Sequence, residues 1–229
     1  MNTNPITIIA IDGTSSSGKG TLASALALEL GFNYLNSGAL YRLSAHLAIV
    51  HGIDIHNHSE ENLNLVVDLI KKESDSIDFV GKQVLYKAKD IWPILSSQEA
   101  GNNAALISFY PPLRYAIKDF QRGRIKLPGL VAEGRDMGTA VFPDAKIKIY
   151  LDASVEARAS RRLKEEELRG SGKTYEMICE ELAKRDETDK NHKVGALIQA
   201  DDALFIDTSN LTIEETLRRC LDWCEENEI

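Results

Sequence analysis

Apolar positions change their period within the first thirty residues. Ile6-Thr7-Ile8-Ile9-Ala10-Ile11 is β-branched and almost wholly apolar, the pattern of a strand covered on both faces in a parallel sheet. It stops at Asp12-Gly13, and Thr14-Ser15-Ser16-Ser17-Gly18 has the composition of a turn. Leu22, Leu26 and Leu30 then recur every four residues up to Gly31, which predicts a helix with a glycine stop. Asn33 to Leu35 predicts a short second strand, and Leu40, Leu43, Leu47 and Val50 a helix from Ser37 to Gly52. Gly129-Leu130-Val131-Ala132 and Ile147-Lys148-Ile149-Tyr150-Leu151 read as further core strands, the second followed by a helix from about Ser154. Ala203-Leu204-Phe205-Ile206 is the last strand. Thr212-Ile213-Glu214-Glu215 then forms a capping box before a C-terminal helix with Ile213, Leu217, Cys220, Leu221 and Cys224 inward. Strands alternating with helices predict a three-layer α/β/α fold around a parallel central sheet.

Residues from about 53 to 128 break that rhythm. Ser76-Ile77-Asp78-Phe79-Val80 and Gln83-Val84-Leu85-Tyr86-Lys87 alternate around Gly81-Lys82, which predicts a hairpin within an insertion flanked by helices. At 229 residues, 43% hydrophobic and 27% charged, the chain has globular composition, which excludes collagen-like, disordered and membrane-bundle classes. The net charge of −8 repels nucleic acid and anionic lipid, so an anionic ligand must meet a local concentration of Arg and Lys. Cys179, Cys220 and Cys224 form no CxxC pair, and the N-terminus carries no basic targeting pattern; both lead us to expect a cytoplasmic protein.

Gly13-Thr14-Ser15-Ser16-Ser17-Gly18-Lys19-Gly20-Thr21 matches GxxxxGK between the strand and the helix that such a motif requires. Its glycines let successive N–H groups point at a polyphosphate, the helix adds its positive end, and Lys19 reaches the transferable phosphate. This is the signature of a P-loop NTPase core that binds a polyphosphate. Gly20 replaces the usual Ser or Thr, so no direct metal ligand is expected there, and magnesium would be held through water and ATP phosphates.

Three further blocks run Asn36-Ser37-Gly38-Ala39-Leu40-Tyr41-Arg42, Glu133-Gly134-Arg135-Asp136-Met137-Gly138-Thr139-Ala140-Val141-Phe142-Pro143-Asp144-Ala145, and Lys184-Arg185-Asp186-Glu187-Thr188-Asp189-Lys190-Asn191. Together with the loop they resemble bacterial cytidylate kinases, in order and essentially end to end. The resemblance implies ATP-dependent phosphorylation of CMP and dCMP, with Mg2+ as cofactor and no polymer or membrane partner; we expect a monomer. It implies one domain with a core at about 5–38, 127–157 and 174–229, a monophosphate-binding insertion carrying a small antiparallel sheet at about 39–126, and a lid at about 158–173. Family contacts to the acceptor's phosphate and ribose map onto Ser37, Arg42, Arg135, Asp136 and Arg185, and those to cytosine onto Arg114 and Asp189.

Chemistry supports the last assignment, because cytosine presents an amino donor beside ring acceptors and needs one carboxylate and one cationic donor. Arg158, Arg161 and Arg162 lie at i, i+3 and i+4 on one helix face and are the densest cationic cluster, as phosphoryl transfer demands; Glu165, Glu166 and Glu167 leave a salt-bridged solvent face as the alternative. Five positions depart from the family pattern: Ser16 for Gly, Asn36 and Glu133 for Asp, Ala105 for a cytosine-contacting Ser, and His192 for a phosphate-facing Arg. A shorter, partly charged His192 predicts weaker CMP binding that improves toward pH 6. Another nucleoside monophosphate or small-molecule kinase stays open as an alternative. A nucleotide-dependent switch protein would need a guanine-reading NKxD element, and none occurs.

Overall fold

The computed structural model describes residues 6–191 and 194–229. In chain order the elements are β1 (Thr7–Gly13), α1 (Lys19–Glu29), β2 (Asn33–Asn36), α2 (Ser37–Val50), α3 (Glu60–Glu73), β3 (Ile77–Val80), β4 (Gln83–Tyr86), β5 (Lys89–Asp90), α4 (Trp92–Leu95), α5 (Gln98–Ile107) and α6 (Pro111–Arg122). After them come β6 (Gly129–Gly134), β7 (Ile147–Asp152), α7 (Val155–Arg169), α8 (Tyr175–Lys190), β8 (Leu204–Asp207) and α9 (Ile213–Glu226).

Five strands form one parallel sheet in the order β2-β6-β1-β7-β8. The unbroken apolar run of β1 is explained by two cores, one on each face. Ile9 and Ile11 pack with Leu22 and Leu26 of α1 and with Cys220 and Cys224 of α9, while Ala10 joins Leu40, Leu43 and Leu47 of α2 on the other face. Period-two alternation thus sends successive β1 side chains into different layers. The register pairs Asp12 with Gly134, so the segments leaving β1 and β6 emerge side by side at the carboxyl edge of the sheet. That edge is where open parallel sheets place their ligands. The capping box at Thr212 and Glu215 forms as the sequence predicts.

The region between α2 and β6 carries a three-stranded antiparallel sheet, β3-β4-β5, one strand more than the alternating pattern predicts. β5 holds only Lys89 and Asp90, both exposed, so it has no apolar rhythm to read. It is turned back onto β4 by Lys87 and Ala88, both with left-handed backbone (φ 50 and 61), the geometry of a tight hairpin. α7 and α8 pack on each other around Ala159, Ile178 and Leu182, a small core separate from the two beside the sheet. Among the described residues no helix is long and apolar enough to cross a membrane.

Candidate active site

Gly13 turns the chain at the edge of the sheet. A Cβ there would overlap the Leu151 carbonyl, so glycine alone lets β1 end this close to β7. Thr14 fixes the first bend: its N–H donates to the Leu151 carbonyl at 3.2 Å and its hydroxyl to Asp152 Oδ1 at 2.8 Å. Ser16 (φ 62) and Gly18 (φ 93) take left-handed backbone, a conformation that favours glycine and makes Ser16 a point of strain. α1 begins at Lys19 with no side-chain acceptor on its first N–H groups and no acid in its first turn. Open N–H groups at the positive end of a helix suit phosphate oxygens. Lys19 Nζ reaches back to donate to the Thr14 carbonyl at 3.1 Å, and Ser17 Oγ is buried without a hydrogen-bond partner.

Residues Ser15 through Thr21 line a cleft of 610 Å³ whose wall includes Asn36, Arg42 and Glu133. Glu133, at the end of β6, is buried; Tyr34 donates to its Oε1 at 3.2 Å, and a Cβ on Gly20 would sit 3.4 Å from the same oxygen. The bare Gly20 therefore leaves room for a longer carboxylate beside Lys19. Burial pushes Glu133 upward in pKa, Lys19 opposes that, and burial in turn lowers Lys19. Among the described residues no three His, Cys, Asp or Glu side chains gather into a metal cage. One carboxylate near the phosphate loop and the unpartnered Ser17 hydroxyl fit a hydrated dication held by oxygen.

The residues mapped to the acceptor nucleotide come from four separate segments. Ser37 opens α2, capped by Asn36 Oδ1 on the Ala39 N–H at 2.9 Å, and its Oγ accepts from Gln121 Nε2 at 2.8 Å. Arg42 donates to the Leu95 and Ser97 carbonyls, both at 2.7 Å. Arg114 of α6 donates to Asp136 Oδ2 at 2.6 Å, with its guanidinium 5.5 Å from the Tyr41 ring centroid. Arg135 pairs with Asp189 Oδ1, and Arg185 lies 3.9 Å from Asp189 Oδ2. Asp189 is 3% exposed and its Oδ2 accepts no hydrogen bond. Arg114 and Asp189, expected as one cytosine-reading pair, are thus each engaged by a different charge, because buried ions recruit whatever counter-ion the fold brings near. Burial and neighbouring arginines push both Arg42 and Arg185 down to about 10, the electrostatic mark of cations gathered where an anion would relieve them.

The three arginines of α7 separate by depth. Arg161 lines the cleft and donates to the Ser17 and Thr208 carbonyls and to Thr208 Oγ1. Arg162 also lines it, bonded to Glu166 at 3.1 Å and to Gln98 Oε1 of α5 at 2.5 Å. Arg158, one turn earlier, is buried away from the cleft. It forms a two-point pair with Asp186 of α8 (2.9 and 2.5 Å) and donates to the Ala153 and Ser15 carbonyls. Its donors are consumed by the scaffold, and the carboxylate it meets comes from α8, not from the Glu165–Glu167 run.

Sequence reasoning missed Arg169, which lines the cleft, and Gln98, which meets Arg162. It also missed Gly195 (φ 74), which lies so close over the Arg114–Asp136 pair that a Cβ would overlap the guanidinium. Each depends on a tertiary neighbour that no local pattern signals. Ala105 is exposed on α5, where its carbonyl accepts from Ser108 Oγ at 3.3 Å. His192 lies outside the described residues.

The cytidylate kinase family profile matches residues 9–226. A cytidylate kinase from Neisseria gonorrhoeae is 42% identical over 94% of this chain and 96% of its own length. One from Stutzerimonas stutzeri is 41% identical over 95% and 94%, and one from Pseudomonas paraeruginosa 39% over 96% of each. The solved structure of TT1252 from Thermus thermophilus superposes with a TM-score of 0.51 at 18% identity, covering 99% of this chain and 100% of that one, which speaks to fold alone. A profile match across nearly the whole chain, relatives matched over nearly their full length, and a parallel sheet ending in an uncapped phosphate loop converge: this chain belongs to the cytidylate kinase family.

Proposed function

We propose that the protein transfers the γ-phosphoryl group of ATP to CMP, and to dCMP, giving the nucleoside diphosphate and ADP. The observation that carries the reading is the cationic cleft in an acidic protein, where the open start of α1 and Lys19 adjoin Arg42, with the unpartnered Asp189 oxygen among the acceptor residues. That oxygen suits the amino donor of cytosine.

The acceptor is a phosphate oxygen already ionised at neutral pH, its second pKa being about 6, so no general base is required. Attack forms a new P–O bond in line with the breaking bond to the β-phosphate, and ADP departs with that electron pair. The protein's work is to hold two repelling anions together and exclude water. Lys19 and the loop amides hold the donor, Arg42, Arg135 and Arg185 the acceptor, and Arg161 and Arg162 screen the transferring group. Arg158 acts one layer back, tying α7, α8 and the loop together. α7 beyond the Arg158 anchor and the turn to about 173 serve as the lid, and residues of about 39–126 as the acceptor-binding insertion. A magnesium ion would lie beside Ser17 and Glu133 through its own waters and would neutralise phosphate charge.

The test is ADP release with ATP, Mg2+ and each of CMP, dCMP, UMP and AMP. CMP and dCMP should turn over fastest; a preference for AMP, or no CDP from CMP, would overturn the reading.

A further inference from the structure

Asp12 is the last residue of β1 before Gly13 and is 5% exposed. Its two carboxylate oxygens serve the segment after β6: Oδ1 accepts the Met137 N–H and Oδ2 the Gly138 N–H, each at 2.8 Å. Those N–H groups open a π-helical turn, Met137–Val141, whose later amides at Ala140 and Val141 return to the Asp136 carbonyl at 2.9 and 3.0 Å. The first N–H groups of a helical turn have no partner inside it, so Asp12 caps this one from a neighbouring strand.

Immediately before the capped amides stand Arg135 and Asp136, and Asp136 in turn anchors Arg114 at 2.6 Å. In the other direction the backbone of Asp12 runs straight into the phosphate loop. The root of that loop is secured without Asp12's side chain, through β1–β7 pairing and the bonds of Thr14 to Leu151 and Asp152. The acceptor segment beyond Gly134 has the Asp12 clamp in place of strand pairing. An amide of the same shape would avoid burying a charge but could accept only one of the two N–H bonds through its oxygen and would set an NH2 against the other.

We propose that Asp12 is a positioning residue that fixes Arg135 and Asp136, and through them Arg114, at their working distance from the phosphate loop, and so governs CMP binding rather than ATP binding. The proposal rests on the kinase reading above and names a residue that reading leaves without a task.

The experiment is steady-state kinetics with both nucleotides varied, together with thermal melting, on the wild type, Asp12→Asn and Gly138→Ala. Asp12→Asn should raise the KM for CMP roughly tenfold, equivalent to about 1.4 kcal/mol, with the KM for ATP changed less than about twofold. Gly138→Ala keeps the carboxylate but puts a Cβ 3.5 Å from Asp12 Oδ2 and 3.2 Å from Lys148 Cδ, so it should move the same constant in the same direction by a smaller factor, and it decides the matter if Asp12→Asn does not fold. An unchanged CMP constant, or equal rises for CMP and ATP, overturns the proposal. Wild-type protein that forms no CDP refutes the kinase reading instead, so the two failures are distinct.

Discussion

The proposed donor and acceptor halves of the site are built on opposite principles. On the donor side, backbone N–H groups at the start of α1 stand open, fixed by Gly13, Ser16 and Gly18 without counter-charges. Among the residues assigned to the acceptor, the charges are paired with one another: Arg114 with Asp136, and Arg135 and, at 3.9 Å, Arg185 with Asp189. On that assignment a triphosphate would bind to backbone N–H groups that no side chain caps, whereas a mononucleotide would exchange partners with existing ion pairs. Donor binding should therefore be insensitive to any one side chain other than Lys19, and acceptor binding sensitive to many.

The most severe break is Lys19→Met, which should lower kcat by about 10³ or more while the circular dichroism spectrum is unchanged, since the loop geometry rests on backbone. Arg185→Ala should raise the KM for CMP by roughly 100-fold and leave that for ATP nearly constant, because a charge-assisted contact is lost and Arg135 and Asp189 are left to close on each other. A comparable rise in both constants would erase the contrast between the halves.

A third test uses pH. Burial raises Asp12 from 3.8 to about 7, chiefly by desolvation, with Asp136 adding to the rise and Lys19 and the two backbone bonds opposing it. Between about 4 and 7 the folded protein then retains a proton that the unfolded chain has released, so stability falls as pH rises through that window, and the clamp on both the Met137 and Gly138 amides is complete only once that proton leaves. From pH 5.5 to 7 this amounts to roughly 2 kcal/mol, and the melting temperature of wild type minus that of Asp12→Asn should fall across the same interval. Asp189→Asn should raise the KM for CMP roughly tenfold and narrow the preference for CMP over UMP, read from kcat/KM for each. The mildest is Ser16→Gly. It relieves left-handed strain but adds unfolded-state entropy, for a net gain of about 0.5 kcal/mol and one or two degrees in Tm, with kinetics unchanged.

The same contrast governs what could be read from sequence. The donor loop is nine consecutive residues between a strand and a helix, so its chemistry is written locally, as are the sheet strands whose apolar runs mark double burial. The residues assigned to the acceptor rest on resemblance, and their partners could not be read from sequence at all. That Arg114 faces Asp136 across 22 positions, that Arg158 finds Asp186 across 28, and that Asp12 reaches Gly138 across 126 are products of the sheet order. β5 escaped because two exposed polar residues have no pattern, and Arg169 because its place in the cleft depends on how α7 leans over the loop.

Arg158 carries a mechanical consequence. Stapled at once to the foot of its own helix, to α8 and to Ser15, it makes the first turn of α7 part of the foundation. If α7 swings over a bound nucleotide, as the proposed lid would, its pivot lies beyond this staple and beyond Arg161, which is itself bonded to Ser17 and Thr208; the arm that moves would then be the stretch carrying Arg162 and Arg169, while the phosphate loop stays still.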